Sequence, residues 1–238
     1  MVFRPEDMGR AQPVILTHGF RGSKEGGGKA VEFAQRLRML GCLVLIFDFS
    51  GVGESEGDFS KITLTRQREE LRSALDVLSN LTAKPTIVIG RSFGGATALA
   101  AAAVDRRIFG LSLWSTPFDL EATFRNILQA NFERLQSGET ITLMDDKELV
   151  FCLRPDFVRD LFNHDLLQII QQLNECSILI IHGENDQIVA KAQSEQAYFL
   201  AREPKRLLIL PGADHALVGG HDAAWKATED WLRQLASI

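Results

Sequence analysis

The stretch TIVIGRSFGGATALAAAAV, residues 86–104, contains a short apolar segment, a glycine-flanked serine and a run of small residues. An apolar strand followed by Gly90, Ser92 and Gly94 and then by a tightly packed helix is the sequence form of a nucleophile elbow. At such a turn the serine hydroxyl projects beyond the sheet, beside the positive end of the following helix. Glycine is favoured on both sides because side chains there would collide with neighbouring backbone. The stretch predicts that Ser92 is the nucleophile of a serine hydrolase.

The same five-residue pattern, G-x-S-x-G, occurs a second time at residues 53–57. Its serine, Ser55, lies several residues beyond the apolar run 43–49, stands between two glutamates and is followed by no run of small residues. Two adjacent carboxylates would oppose the formation of an alkoxide or an oxyanion at this hydroxyl. We therefore predict that Ser55 is a loop residue and not the nucleophile.

The composition is that of a globular enzyme. The 238-residue chain is 45% hydrophobic, has a net charge of −5 and carries its lysines and arginines scattered along the sequence. One domain over residues 1–238 is the natural expectation, without nucleic acid as a partner. Apolar runs are too short for a transmembrane helix, and the first ten residues lack the pattern of a signal peptide. Three dispersed cysteines favour reduced thiols, so we expect a cytoplasmic protein; the oligomeric state stays open.

Apolar runs alternate with helical patterns along the chain. Continuous apolar strands are typical of a parallel sheet that is covered on both faces. The alternation therefore predicts an α/β fold with a doubly wound, mostly parallel sheet, whose ligands bind beyond the carboxyl ends of the strands. Strands are expected at residues 14–18, 43–49, 86–90, 111–115, 177–183 and 206–212. Helices are expected at residues 29–40, 65–80, 93–104, 191–201 and 222–236.

Residues 118–172 interrupt this alternation between the fourth and fifth of these strands. An insertion at that place lies above the carboxyl edge of the sheet, where loops commonly shape active sites. We expect a helical and hairpin cap over the site; a peripheral structural decoration is the alternative. Its predicted elements are a helical stretch over 118–136, a hairpin around Asp145, Asp146 and Lys147, and short helices after Pro155 and Asp165.

A serine nucleophile needs a general base, and the base needs an orienting acid. Of the five histidines, His215 and His221 follow the last strand at the appropriate edge of the sheet, and His215 is closer to that strand. Asp186 lies in the loop after the fifth strand, which gives the chain order Ser92, Asp186, His215 that is expected on this fold. Asp119, after the fourth strand, is the competing acid.

Two backbone amides are needed to stabilise an oxyanion. One is expected from Phe93, directly after the nucleophile, and the other from the loop after the first strand, where the amide of Phe20 is the best candidate. His18 and His182 are expected to make structural hydrogen bonds at strand ends. The glycine-rich residues 22–30 lack the P-loop signature and indicate a turn before a helix. We therefore expect no nucleotide, organic cofactor or metal.

With these residues in place, the chain resembles members of the α/β-hydrolase superfamily from about residue 12 to its end. It is similar to small bacterial cinnamoyl and feruloyl esterases and to related serine-aminopeptidase-like and dienelactone-hydrolase-like proteins. The matching blocks are HGFRGSK (18–24), FDFSGVGESEG (47–57), GRSFGG (90–95), HGENDQIV (182–189) and GADH (212–215).

The resemblance implies a triad of Ser92, Asp186 and His215, an oxyanion hole from the amides of Phe20 and Phe93, a cap insertion and ester substrates. Similar proteins begin with an antiparallel hairpin, for which the residues before the first strand leave little room. A shortened edge of the sheet is therefore expected at this end of the chain.

We predict a serine hydrolase that cleaves small-molecule carboxylic esters through an acyl-enzyme intermediate. Its apolar acyl pocket is expected to have Phe20, Phe93, Trp114 and insertion residues such as Phe118 near its walls.

Two alternatives remain. A peptidase, an amidase or a thioesterase could use the same triad, and an acidic patch in the insertion would favour an aminopeptidase. A non-catalytic ligand-binding protein that keeps the fold is the alternative of another class. The candidate acids of that patch are Glu121, Glu133, Asp145 and Asp146.

Overall fold

The structure is a computed structural model and describes residues 1–144 and 149–236. Its strands are β1 (Val2–Phe3), β2 (Gln12–Thr17), β3 (Cys42–Ile46), β4 (Thr86–Arg91), β5 (Ile108–Trp114), β6 (Ile141–Met144), β7 (Val150–Leu153), β8 (Ser177–Gly183) and β9 (Lys205–Leu210). Its helices are α1 (Lys29–Met39), α2 (Leu64–Ser79), α3 (Phe93–Ala102), α4 (Leu120–Leu128), α5 (Ala130–Gln136), α6 (Pro155–Leu161), α7 (Leu166–Gln172), α8 (Lys191–Leu200) and α9 (His221–Ala236). Among the described residues, no helix combines the length and the apolar character needed to cross a bilayer.

A mostly parallel sheet of seven strands forms the centre of the molecule, in the order β1-β3-β2-β4-β5-β8-β9. The pairings from β3 through to β9 are parallel, and β1 alone pairs antiparallel within this sheet of described residues. The six strands predicted from apolar runs all belong to this sheet. The strand β3 ends at Ile46, earlier than predicted, because Asp48 turns inward to accept hydrogen bonds from another loop.

Alternate residues of the strands serve two hydrophobic layers, one on each face of the sheet. In β2, Val14 and Leu16 pack in one layer with Phe33 of α1 and Trp225 of α9. Ile15, which points the opposite way, packs in the other layer with residues of α2, α3 and α8. Burial on both faces explains why the strands are continuously apolar. The prediction of a doubly wound α/β fold is confirmed.

The edge of the sheet at the start of the chain is short. Val2 and Phe3 form a two-residue strand that pairs with Leu45 and Val44 of β3. The sheet therefore ends at this edge in a two-residue antiparallel strand.

The insertion contains the predicted kinds of elements. Residues 118–136 form two helices, α4 and α5, instead of one, because Gln129 between them has a left-handed φ of 49°. The strands β6 and β7 form an antiparallel hairpin, and α6 and α7 follow it. The predicted hairpin turn at Asp145, Asp146 and Lys147 lies outside the described residues.

Polar side chains tie the insertion to the body of the molecule. The amide oxygen of Gln193 on α8 accepts hydrogen bonds from the backbone of Phe118 and Asp119, both at 2.9 Å. Asp160 on α6 accepts from the amide and the hydroxyl of Thr65 on α2, at 2.9 and 2.6 Å. The insertion is therefore fastened at its start and near its end to helices of the same face of the sheet.

Candidate active site

Ser92 occupies a strained turn between β4 and α3. Its backbone has a φ of 53° and a ψ of −126°, and its amide donates to the carbonyl of Trp114 on the neighbouring strand at 2.8 Å. A Cβ atom on Gly90 would come within 2.6 Å of the carbonyl oxygen of Gly94, and a Cβ atom on Gly94 would overlap the carbonyl of His18. Only glycine fits at both positions, so the turn that exposes the serine depends on the flanking residues that the motif specifies.

Hydrogen bonds join three side chains that are distant along the chain. Nε2 of His215 lies 3.1 Å from Oγ of Ser92, and Nδ1 of His215 lies 2.8 Å from Oδ2 of Asp186. Because an ionised carboxylate can only accept, Nδ1 carries a proton and Nε2 is free to accept the proton of the serine hydroxyl. The structure thus brings together the three residues that the sequence singled out.

Asp186 is held as an ionised acceptor. Its side chain has no exposed surface, and its Oδ1 accepts the amides of Ile188 and Val189 at 2.8 and 2.9 Å. Burial alone would raise the pKa of Asp186, but hydrogen bonds from His182, His215 and the Val189 amide outweigh it. The pKa of this carboxyl therefore lies well below its ordinary value, and the negative charge that orients His215 is present at neutral pH.

A second histidine, His182, supports the same carboxylate. Its ring is completely buried, and Nε2 lies 3.0 Å from the carbonyl oxygen of Val189 and 3.3 Å from Oδ2 of Asp186. Both neighbours are acceptors, so Nε2 carries the proton and the hydroxyl of Ser194 donates to Nδ1 at 2.7 Å. The expected structural hydrogen bonding of His182 is confirmed. Its contact with Asp186 was missed, because the conformation of the intervening loop is not visible in the sequence.

The loop after β2 passes directly over Ser92. A Cβ atom on Gly19 would lie 3.1 Å from the Cβ of Ser92, so only glycine permits this approach without a shift. Within the described part of the chain, the amides of Phe20 and Phe93 donate to no acceptor. Two unused donors are therefore available, one directly after Ser92 and one in the loop that crosses it.

His18 fixes the conformation of that loop. Its Nδ1 lies 2.9 Å from the carbonyl oxygen of Gly19, and its Nε2 accepts the amide of Phe49 at 3.1 Å. Burial lowers the pKa of His18, which favours the neutral ring that this pair of roles requires. The prediction of a structural histidine at this strand end is confirmed.

A buried ion pair joins the loop after β2 to the loop after β3, beside the site. Nζ of Lys24 lies 2.7 Å from Asp48 and 2.6 Å from Glu54, and the amide of Lys24 donates to Asp48 at 2.6 Å. The hydroxyl of Ser55 donates to the backbone carbonyl of Asp48 at 2.7 Å. Ser55 is therefore a loop residue, as predicted. The ion pair of Lys24 with Asp48 was not predicted.

A cavity of about 340 Å³ opens beside Ser92 on the face of the sheet that carries α1 and α9. Phe20 and Trp114, expected near the walls of a substrate pocket, both line it. Phe93 and Phe118, also expected there, do not line it, because their rings are buried in the hydrophobic layer on the opposite face. Trp225 of α9 is buried and also lines the cavity.

The insertion packs on the other side of Ser92. The ring of Phe20 lies 5.3 Å from that of Phe124 on α4 and 5.4 Å from that of Phe157 on α6, centroid to centroid. The ring of Phe93 lies 5.3 Å from Phe124. No described residue of the insertion lines the cavity. The insertion therefore supports the two residues with unused amides and leaves the wall of the cavity to other segments.

The competing candidates take no part in the contacts that join Ser92, His215 and Asp186. Asp119 is the N-terminal cap of α4 and accepts the amide of Ala122 at 2.9 Å. His221 lines the cavity, but in the described residues no hydrogen bond joins it to Ser92. Of the acids proposed for an aminopeptidase patch, Asp145 and Asp146 lie outside the described residues. The other two, Glu121 and Glu133, pair with Arg125 and do not line the cavity.

A serine at a strained strand-to-helix turn, contacted by a histidine that an aspartate orients, on a mostly parallel sheet, defines an α/β hydrolase. The chain belongs to the family described as serine aminopeptidase, S33, whose sequence model matches residues 10–222.

Known proteins with similar sequences and structures include esterases and thioesterases. The human palmitoyl-protein thioesterase ABHD10, mitochondrial, is 30% identical over 185 residues, which are 76% of this chain and 59% of the relative. The chain thus spans about three fifths of the length of that relative. The structure of Est1E from Butyrivibrio proteoclasticus with bound ferulic acid has a TM-score of 0.82 at 20% identity, covering 100% of this chain and 95% of that one. Mouse ABHD10 has a TM-score of 0.76 at 23% identity, covering 99% and 93%.

Proposed function

We propose that the protein is a serine hydrolase that cleaves carboxylic esters through an acyl-enzyme intermediate. The proposal rests on one observation. Ser92, at the turn after β4, is hydrogen-bonded to His215, and His215 is hydrogen-bonded to Asp186. Membership of a hydrolase family supports it.

In the first step, Oγ of Ser92 attacks the acyl carbonyl carbon while Nε2 of His215 takes the hydroxyl proton. The resulting imidazolium is stabilised by the buried carboxylate of Asp186, which also keeps the ring in the required orientation. His215 then gives this proton to the leaving oxygen, and the alcohol departs. A water molecule, activated by the same nitrogen, attacks the acyl-enzyme and releases the acid.

Negative charge develops on the carbonyl oxygen in both tetrahedral intermediates. The amides of Phe20 and Phe93, which have no acceptor among the described residues, are proposed to stabilise it. Losing one such donor typically costs about 3 kcal/mol of transition-state stabilisation. We propose the insertion as a cap that holds these donors in place, because Phe124 and Phe157 pack against the rings of the same loop and turn.

The test is the hydrolysis of p-nitrophenyl butyrate by the Ser92→Ala variant. Loss of the nucleophile is expected to lower kcat by about 10³-fold or more. The matched control is Ser55→Ala, which removes the serine of the second G-x-S-x-G copy. An unchanged rate in the Ser92→Ala protein would end the assignment.

Thioester cleavage is the second candidate, because the human relative that is 30% identical is named a palmitoyl-protein thioesterase. The same series of groups would serve, with a thiolate as the leaving group. Rates on matched butyryl esters, butyryl thioesters and aminoacyl anilides separate the two activities from an aminopeptidase. The aminopeptidase is the least favoured of the three, since no acid among the described residues lines the cavity to hold a substrate amino group.

A further inference from the structure

The side chains that line the cavity beside Ser92 include cations but no anions, although the whole chain has a net charge of −5. Among the described residues that line it are two lysines, one arginine and three histidines, and no aspartate or glutamate. Such a bias of sign in a concave, partly apolar site attracts ligands of the opposite charge.

Lys24 is neutralised within the protein, because it contacts both Asp48 and Glu54. Arg91 is different. It directly precedes Ser92, is half-buried at the cavity and has no ion-pair partner among the described residues. Its one hydrogen bond there runs from Nη2 to the carbonyl oxygen of His215, at 3.4 Å. A guanidinium has five N–H donors, so most of those of Arg91 remain free.

Lys29 supplies a second cation at the outer end of the cavity. It is exposed at the start of α1, and its Nζ lies 5.4 Å from the centre of the Trp225 ring and 3.2 Å from the solvent-exposed Glu32. The ring of His221 lies 6.3 Å from the same tryptophan. An exposed ion pair such as that with Glu32 is weak and does not prevent Lys29 from binding a ligand.

Three carboxylates, those of Asp186, Asp214 and Asp222, act on Arg91 or His221, and none of them lines the cavity. The negative charge of Asp186 favours the charged form of Arg91. The oxygens of Asp186, however, already accept four hydrogen bonds. Asp214 is exposed and accepts the amide of Val218. Burial lowers the pKa of His221, and Lys29 and Arg91 lower it further, against the opposing effects of Asp214 and Asp222. The basic groups therefore share one electrostatic field at this end of the cavity.

We infer that the end of the cavity at Arg91, Lys29 and His221 binds a carboxylate of the substrate. The enzyme would then prefer esters whose acyl chain ends in an anionic group. The inference rests on the proposed hydrolase function. The hydrocarbon part of such an acyl chain would lie against Phe33, Ile89 and Trp114, and its carboxylate would meet Arg91 and Lys29. A volume of about 340 Å³ suits a compact molecule of this kind.

The experiment compares kcat/KM for mono-p-nitrophenyl adipate with kcat/KM for p-nitrophenyl hexanoate, an acyl chain of equal length without the charge. Rates of the Ser92→Ala protein serve as the blank. In wild-type protein at low ionic strength the anionic ester is expected to be preferred about tenfold, and added salt is expected to reduce the preference.

Single substitutions then locate the effect. Arg91→Gln and Lys29→Gln are each expected to lower the ratio of the two kcat/KM values by about fivefold. Arg91→Lys is expected to retain most of it, because the charge is kept. The matched control is Lys226→Gln, which removes an exposed lysine of α9 that does not line the cavity. Since the readout is a ratio measured in one folded protein, a general loss of activity does not affect it.

A wild-type ratio of one or less would overturn the inference, as would a ratio that neither the Arg91→Gln nor the Lys29→Gln variant changes. If both esters are hydrolysed at equal rates in a Ser92-dependent manner, the anion site is wrong and the proposed function stands. If neither ester is hydrolysed, the proposed function fails, and the inference fails with it.

Discussion

The two copies of G-x-S-x-G, residues 53–57 and residues 90–94, have the same five-residue pattern and unlike structures. In the second copy, Ser92 has a left-handed backbone and its hydroxyl lies 3.1 Å from a histidine nitrogen at the edge of a cavity. In the first copy, Ser55 donates its hydroxyl to the backbone carbonyl of Asp48 at 2.7 Å. The strand before and the helix after the motif, and not the motif itself, decide whether the serine is presented to a ligand.

The flanking glycines differ in the same way. At Gly90 and Gly94 a side chain would collide with the backbone of the turn and of the crossing loop, so these residues allow the serine to project. At Gly53 a side chain would overlap the carboxylate of Asp48, so this glycine allows the loop to wrap around a buried acid. One copy exposes a hydroxyl, and the other encloses a charge.

The largest effect is expected from His215. Replacing it with alanine removes the base from Ser92, and kcat on p-nitrophenyl butyrate should fall by about 10³-fold or more. The Ser55 copy cannot compensate, because no hydrogen bond in the described residues joins Ser55 to a histidine. If kcat of the His215→Ala protein fell by less than about tenfold in steady-state assays, the hydrogen bond to His215 would not distinguish Ser92 from Ser55 in function.

The buried ion pair between Asp48 and Lys24, next to the first copy, is expected to stabilise the folded protein. Asp48 and Lys24 are both buried, and removing one partner of such a pair costs about 3 kcal/mol, so Asp48→Asn should lower the free energy of unfolding by about that amount at pH 7. Burial opposes ionisation of Asp48, but hydrogen bonds from Lys24 and from two amides hold its pKa below the ordinary 3.8.

Since the folded pKa of Asp48 is the lower one, its contribution to stability is complete above the ordinary value and is lost as the pH falls through the folded value. Denaturant titrations between pH 7 and pH 3 should therefore show a shallower acid loss in the Asp48→Asn protein than in the wild type. Parallel curves would show that this carboxylate does not stabilise the loop in the manner described.

A smaller effect on activity is expected from His182, which contacts Asp186. His182→Gln removes a donor to Asp186 and leaves the direct contact of Asp186 with His215 in place. Groups that orient an active-site residue in this way typically contribute about 10- to 100-fold, so kcat should fall by that factor with KM unchanged. Asn185→Ala in the same loop, which alters an exposed side chain, is the matched control. If KM rose and kcat stayed constant, His182 would not act through Asp186.

The smallest effect is expected from Ser55→Ala. The variant loses one hydrogen bond to a backbone carbonyl, so the free energy of unfolding should fall by about 1 kcal/mol while kcat/KM on p-nitrophenyl butyrate stays the same. Chemical denaturation and steady-state kinetics on one preparation measure both quantities. A tenfold loss of kcat/KM in a folded Ser55→Ala protein would mean that the first copy takes part in catalysis.

The sequence was sufficient for contacts that follow from strand ends. Ser92, Asp186 and His215 each follow a parallel strand, and the carboxyl ends of parallel strands meet at one edge of the sheet, so their meeting could be expected. Contacts between loops could not. Lys24 meets Asp48, and His182 meets Asp186, only because of loop conformations that no periodic pattern encodes.

The position of the cavity was equally hidden. Phe118 follows a strand at the same edge as Trp114, and both are aromatic, yet they pack on opposite faces of the sheet. The alternation of side chains along β5 stops at the turn after it, so the sequence could not tell which of the two rings faces the cavity.

Labelling with a fluorophosphonate probe, followed by peptide mapping, tests whether Ser92 is the nucleophile. We expect one adduct per chain, on Ser92, with none on Ser55 and strongly reduced labelling in the His215→Ala protein. An adduct on Ser55, or folded wild-type protein that leaves Ser92 unlabelled, would contradict this assignment.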